Sequence, residues 1–133
     1  MRRCTRGKTN GRWRTIGEIE AAIGKAVIEY LQMTFGRGAR AIRVFLHVDM
    51  VFVSLEGVMP ECQQQLCVQE SNAQLTDLLR RYRARMLTVN RDRISDALLD
   101  ATGFRPRSML HDLTESGEEM IVFLLEGVPV LGA

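Results

Sequence analysis

The 133-residue chain is 46% hydrophobic and 26% charged, ordinary globular proportions that exclude a wholly disordered chain and suffice for one domain with a core that needs neither disulfides nor metal. Three cysteines, Cys4, Cys62 and Cys67, are an odd number with no signal-peptide h-region before them, so reduced thiols in a cytoplasm are expected. The formal net charge is only +2, and no apolar run approaches the ~18 residues of a membrane helix, so no integral membrane segment is expected.

The charge is uneven along the chain. Arg2, Arg3, Arg6, Lys8, Arg12 and Arg14 make residues 1–14 +6 without an acid, which against the total of +2 leaves −4 for the rest. Residues 1–14 therefore read as a basic flexible arm, a solvated tail or a contact for nucleic acid or anionic lipid. Gly7-Lys8-Thr9 resembles the end of a P-loop, but position 2 is Arg2 where that motif needs glycine, and no strand precedes it. Nucleotide binding there is rejected.

Thr15-Ile16-Gly17-Glu18 has the pattern of a capping box, so a helix starts at about Ile16. Ile19, Ile23, Ala26, Val27, Tyr30 and Met33 recur at helical spacing as one buried stripe, and Gly36 or Gly38 supplies the left-handed exit. Residues 40–47 alternate, with Ile42, Val44, Leu46 and Val48 on one face, then turn tightly at Asp49 into a return strand bearing Val51, Val53 and Leu55. Phe45 and Phe52 point the other way, so both faces of this hairpin want cover, and a second protomer is one way to provide it. Pro60 suits the first position of a helical run reaching Gly103, with a break near residues 69–72. Its second part, Leu75 to Thr102, would be about 42 Å long, either curving over its own sheet or overhanging to pack on a twin in a homodimer. Leu75, Leu79, Tyr82, Met86 and Val89 form one apolar seam of that helix, and Leu87, Ile94, Leu98 and Ala101 a second. Residues 104–111 and 119–126 make a second hairpin around the polar turn Thr114 to Gly117, and Pro106 places its first strand at an edge.

Residues 50–58 recur as residues 120–128 with five identities in nine positions at an offset of seventy. The chain is thus expected to be α+β, two helix-strand-strand units (α-β-β-α-β-β) sharing a mostly antiparallel four-stranded sheet with a long helix packed on one face. Residues 15–127 form the domain and 128–133 a C-terminal tail.

The repeat sets His47 and Asp49 at one hairpin corner and His111 and Asp112 at the other, residue types that suit a divalent metal or an acid/base pair, although Asp at a turn ordinarily bonds its own backbone. No metal set is assigned. Cys62 and Cys67 lack zinc-site spacing, and no Ser-His-Asp, HExxH or glycine-rich dinucleotide signature occurs, so no catalytic residue and no cofactor are assigned. Arg80, Arg81, Arg83, Arg85, Arg91 and Arg93 concentrate positive charge on the long helix, but they spread around it with Asp77, Asp92 and Asp96 in pairing reach, which makes nucleic acid an unfavoured partner.

Ile19-Glu20, Gly36-Arg37-Gly38, Asp49-Met50, Leu55-Glu56-Gly57-Val58 with Pro60-Glu61, Thr102-Gly103, Asp112 with Thr114, Gly117-Glu118 and Ile121-Val122-Phe123 together resemble the MpsC-like domain family, named for a Na+-linked system that generates membrane potential. The match runs over about residues 15–126. It departs from the family's usual Gly-Arg-Gly-Pro at Ala39, in a shortened segment before Pro60, and in the arginine-rich arm outside the domain.

The resemblance implies a small non-enzymatic accessory domain, cytoplasmic and at most peripheral to the inner face of the membrane, partnering a membrane ion or inorganic-carbon transport complex. It carries over no catalytic residues. From the residues themselves, Gly36, Arg37 and Gly38, with Asp49 and Asp112 at the corners, are the candidate ligand- or partner-binding positions, because an Arg between two glycines sits beside open amides and suits an anion. The alternatives are a dimeric anion-binding domain and, below it, a nucleic-acid binder acting through the arm.

Overall fold

The computed structural model describes residues 8–9, 12–58 and 73–131. Near the N-terminus, β1 (Lys8–Thr9) and β2 (Arg12–Trp13) pair antiparallel as a two-residue ribbon. The expected helix start at Pro60, the break near residues 69–72, and Cys4, Cys62 and Cys67 lie outside the described residues.

Helix α1 (Ile16–Phe35) begins where the sequence places it: Thr15 Oγ1 accepts from the Glu18 amide at 3.1 Å and Glu18 Oε1 accepts from the Thr15 amide at 2.7 Å. Gly36 ends it at φ 76°, donating its N–H to Gln32 O. Ile19, Ile23, Val27, Tyr30 and Leu31 form its buried stripe. Met33, expected on that stripe, is instead 65% exposed, with its sulfur accepting from Arg93.

Four strands follow in two hairpins, β3 (Ala41–His47) with β4 (Met50–Glu56), and β5 (Pro106–Leu113) with β6 (Glu119–Leu125). They form one antiparallel sheet in the order β3-β4-β6-β5, with β5 at an edge as Pro106 requires. Val48 does not continue the apolar face of β3. It occupies the first position of the two-residue β3–β4 loop at φ 57°, where a β-branched side chain is strained, and is 53% exposed.

The seventy-residue repeat has a geometric meaning. Met50 pairs with Leu124, Phe52 with Val122 and Ser54 with Met120. Since Met120, Val122 and Leu124 are the repeat equivalents of Met50, Phe52 and Ser54, this register maps onto itself under a local two-fold axis that pierces the sheet between Phe52 and Val122.

The expected long helix is two helices, α2 (Ala73–Val89) and α3 (Arg91–Thr102), so the element order is α-β-β-α-α-β-β. At Asn90 the backbone leaves helical geometry (φ −97°, ψ 18°), and its side-chain amide donates to Met86 O at 2.8 Å, serving a carbonyl at the end of α2. In this arrangement α3 packs on α1, α1 lies over β3, and α2 lies along β5, so the second seam of Leu87, Ile94, Leu98 and Ala101 is buried within the one chain. The buried stripe of α2 runs through Thr76, Arg83 and Leu87, whereas Tyr82 and Val89, expected in its seam, are 52% and 64% exposed. Helices and inward strand positions (Val51, Val53 and Leu55; Ile121, Phe123 and Leu125) enclose one core.

Candidate functional site

Two inward positions of the sheet are polar. Glu119 shares strand parity with Ile121 and Phe123 and is buried, and its opposite neighbour two residues along, His111, points to the same side with its side chain 4% exposed. Arg83, on the core-facing side of α2, reaches down to them. Its Nε and Nη2 donate to Glu119 Oε2 and Oε1 at 2.9 and 2.8 Å, a parallel two-point pairing, and His111 Nε2 lies 2.5 Å from the same Oε2. The ring of Phe35, from the end of α1, lies under the guanidinium, 4.1 Å from Cζ to the ring centroid, and meets Tyr30 and Tyr82 edge-on.

Electrostatics favour the ionised form of Glu119. Burial alone would raise the Glu119 pKa, but the hydrogen bonds from His111 and Arg83 and the charge of Arg83 more than offset it, so the carboxyl stays ionised well below its ordinary range. Burial, and then the negative charge of Glu119, push the Tyr30 phenol upward. Both carboxylate oxygens are engaged, so Glu119 is held as an anchor and is not poised as a base. His111 Nδ1 and Thr76 Oγ1 are buried without a hydrogen-bond partner among the described residues.

The residues singled out from the sequence lie elsewhere. Gly36 is the left-handed helix exit, and Arg37 Nη2 reaches Gly57 O at 3.3 Å across an exposed loop. Arg37, Gly38, Arg40 and Gly57 line a shallow open recess of about 470 Å³. Asp49 closes the β3–β4 turn: its carbonyl accepts from Leu125 N at 2.8 Å, and its carboxylate lies 3.6 Å from Arg107 Nη2. Arg107 reaches it because a register shift between Pro106 and Ser108 sets that residue out of the ladder. Asp112 accepts from Arg80 Nε and from its neighbour Leu113 N, both at 2.8 Å.

Asp49 neighbours the Met50–Leu124–Ser108 row and Asp112 belongs to the Ser54–Met120 row, so the two corners sit at opposite ends of the sheet. No single metal or proton-transfer centre joins them. The arginine-rich helix is likewise divided: Arg83 is in the core, Arg80 bonds Asp112 and Asp77, and Arg81 bonds Asp77. Among the described residues no group of three or more His, Cys, Asp or Glu side chains is arranged to hold a metal.

On the face of the sheet away from the core, the side chains are exposed at the two edge strands and half-buried along much of the middle, with no helix over them among the described residues. Phe45, Phe52, Val122 and Leu110 are register partners in turn and form one apolar row across all four strands. Phe45 and Leu110, at the two ends of that row, are 56% and 57% exposed. The adjoining rows are His47–Met50–Leu124–Ser108 and Arg43–Ser54–Met120–Asp112, so basic and acidic side chains occupy opposite edges of the latter. A further, largely apolar recess of about 370 Å³ lies between α1 and α3, and Arg14, one of its lining residues, donates to Ala101 O at 2.8 Å.

The Arg83–Glu119–His111 cluster was readable from strand parity, since 119 falls in step with 121, 123 and 125, and 111 with 109 and 113. Grouping Arg83 with the other arginines of its helix hides it.

A family model described as "Na+-translocating membrane potential-generating system (MpsC)" matches residues 15–127, with the arm outside the match. Uncharacterized protein YbcI of Bacillus subtilis (strain 168) is 24% identical over 110 residues, which cover 82% of this chain and 86% of that protein. No solved structure matches the chain. No helix among the described residues is long and apolar enough to cross a membrane. The extent of the family match, spanning the capping box at Thr15, both hairpins and the exit at Gly127, shows that the chain belongs to the MpsC family.

Proposed function

We propose that this chain is a non-enzymatic binding domain, an accessory that works as a homodimer on the cytoplasmic side of a membrane ion or inorganic-carbon transport system. The observation that carries the reading is the apolar row Phe45–Phe52–Val122–Leu110, exposed at both ends, which suits a contact surface. The buried ionic centre fits the same reading, because its carboxylate is consumed by Arg83 and His111 in tying α2 to the sheet. The family's name supplies the link to a membrane system.

The test is recovery of the tagged protein from its native host in mild detergent after nuclease digestion. An integral membrane transport subunit among the recovered proteins supports the accessory role, whereas recovery of the protein alone sinks it.

The recess beside Arg37 and Arg40 favours a second reading, the binding of a small anion such as a carboxylate or bicarbonate. A ligand that binds only the native state raises the melting temperature by mass action. A rise with bicarbonate that disappears in Arg37→Ala supports this reading, and no rise with any small anion removes it.

A further inference from the structure

The open face of the sheet carries the information needed to say what covers it. Arg43 on β3 and Asp112 on β5 share one cross-strand row yet stand on opposite edge strands, about 14 Å apart at the usual strand spacing of ~4.8 Å. Within one chain they do not meet. Asp112 is also bonded by Arg80, but its side chain is 70% exposed, and Arg43 is exposed.

Two identical sheets pack face to face at about 10 Å with their strands nearly aligned, and a closed pair requires a two-fold axis lying between them. An axis parallel to the strands lays β3 of one copy over β5 of the other. Phe45 then faces the partner's Leu110, Phe52 faces the partner's Val122, and Arg43 faces the partner's Asp112, twice per dimer. An axis across the strands instead lays Arg43 over the partner's His47 and Asp112 over the partner's Ser108, matching no opposite charges.

The area is also of the right order. Strands of seven residues span about 23 Å and four strands about 19 Å, a flat footprint of about 440 Å² per copy and about 900 Å² for the pair before side-chain relief is added. A specific interface needs roughly 1,000 Å² or more.

We propose that a second copy of this chain covers the open sheet face, related by a two-fold axis parallel to the strands, with Arg43 of each copy paired to the partner's Asp112. This deepens the binding-domain reading and rests on it. The dimer is then a four-layer body with two sheets inside and helices outside.

The experiment is sedimentation equilibrium of the purified full chain with Arg43→Asp, Asp112→Arg, the double exchange and Phe45→Asp, each checked for an intact thermal transition. The wild type is expected at twice its 15.1 kDa mass. Each single charge reversal creates two like-charge contacts per dimer and weakens association at least about tenfold. The double exchange is expected to restore it, which only a contact between copies can do, and Phe45→Asp to abolish it.

A dimer indifferent to Phe45→Asp and Arg43→Asp overturns the proposal, and single variants that split without rescue overturn the axis. A monomeric wild type also overturns it. These measurements use the isolated protein, so their outcome is independent of whether a membrane subunit is captured from the host.

Discussion

Arg83 and Glu119 stand 36 residues apart in the chain and meet inside the protein through two parallel hydrogen bonds, with Phe35 covering the guanidinium. Their contact joins α2 to the sheet at the one inward row where a carboxylate replaces a hydrocarbon. A buried pair of this kind is costly to break and much less costly to replace as a unit.

Glu119→Gln should accordingly destabilise the fold by about 3–5 kcal/mol, because it leaves Arg83 charged and buried. Arg83→Met combined with Glu119→Leu should cost less than the sum of Arg83→Met and Glu119→Leu made singly. Urea unfolding of the four variants measures the coupling, and strict additivity would show that the pair acts as two independent residues.

The same carboxylate predicts the acid limb of stability. The folded-state pKa of Glu119 lies below its ordinary value of 4.5, so its contribution is complete above that pH and is lost as pH falls through the depressed folded value. Unfolding free energy followed from pH 6 to pH 2 should fall with a steeper slope in the wild type than in Glu119→Gln. Equal slopes would mean that other carboxylates control the transition.

Val48 holds a positive φ with a branched side chain on a solvent-exposed turn. Val48→Gly removes that strain and is expected to stabilise the protein by about 1 kcal/mol, net of the extra freedom glycine gains when unfolded. A lowered melting temperature would contradict it.

Gly57 is the opposite case. It sits at φ 71°, and a Cβ added there would lie 2.6 Å from Arg40 Cβ, where Arg40 N donates to Glu56 O to start the hairpin. Gly57→Ala should cost more than about 1 kcal/mol, whereas Gly36→Ala, which has a similar φ but nothing within 4 Å, should cost less. Thermal denaturation of the two variants orders them.

Local chemistry made most of the fold legible in the sequence. The capping box at Thr15, the glycine exits and the alternation of both hairpins each depend on neighbours close in the chain, and the structure keeps them except at Val48, which leaves the β3 face for the turn. The break at Asn90 left only a trace, the rotation between the seam of Leu75 and Leu79 and that of Ile94 and Leu98, because asparagine interrupts a helix without forbidding it. Arg83 was hidden for a different reason: composition ranks arginine as a surface residue, and only its phase with Thr76 and Leu87 marks it as interior. The candidate loop at Gly36, Arg37 and Gly38 was readable as a turn, while its separation from Asp49 depends on the order of strands in the sheet, which no local pattern encodes.

The axis between Phe52 and Val122 bears on docking as well as on folding. Were the two halves of the sheet identical, rotating one copy by half a turn in the sheet plane would change nothing, and the two face-to-face orientations would be degenerate in energy. Register equates Arg43 with Ser108 and His47 with Asp112, and these unlike residues are where the halves diverge. In the proposed dimer, a handful of rim substitutions made without touching the apolar row would therefore be expected to rotate one protomer against the other and give the same fold a second quaternary form.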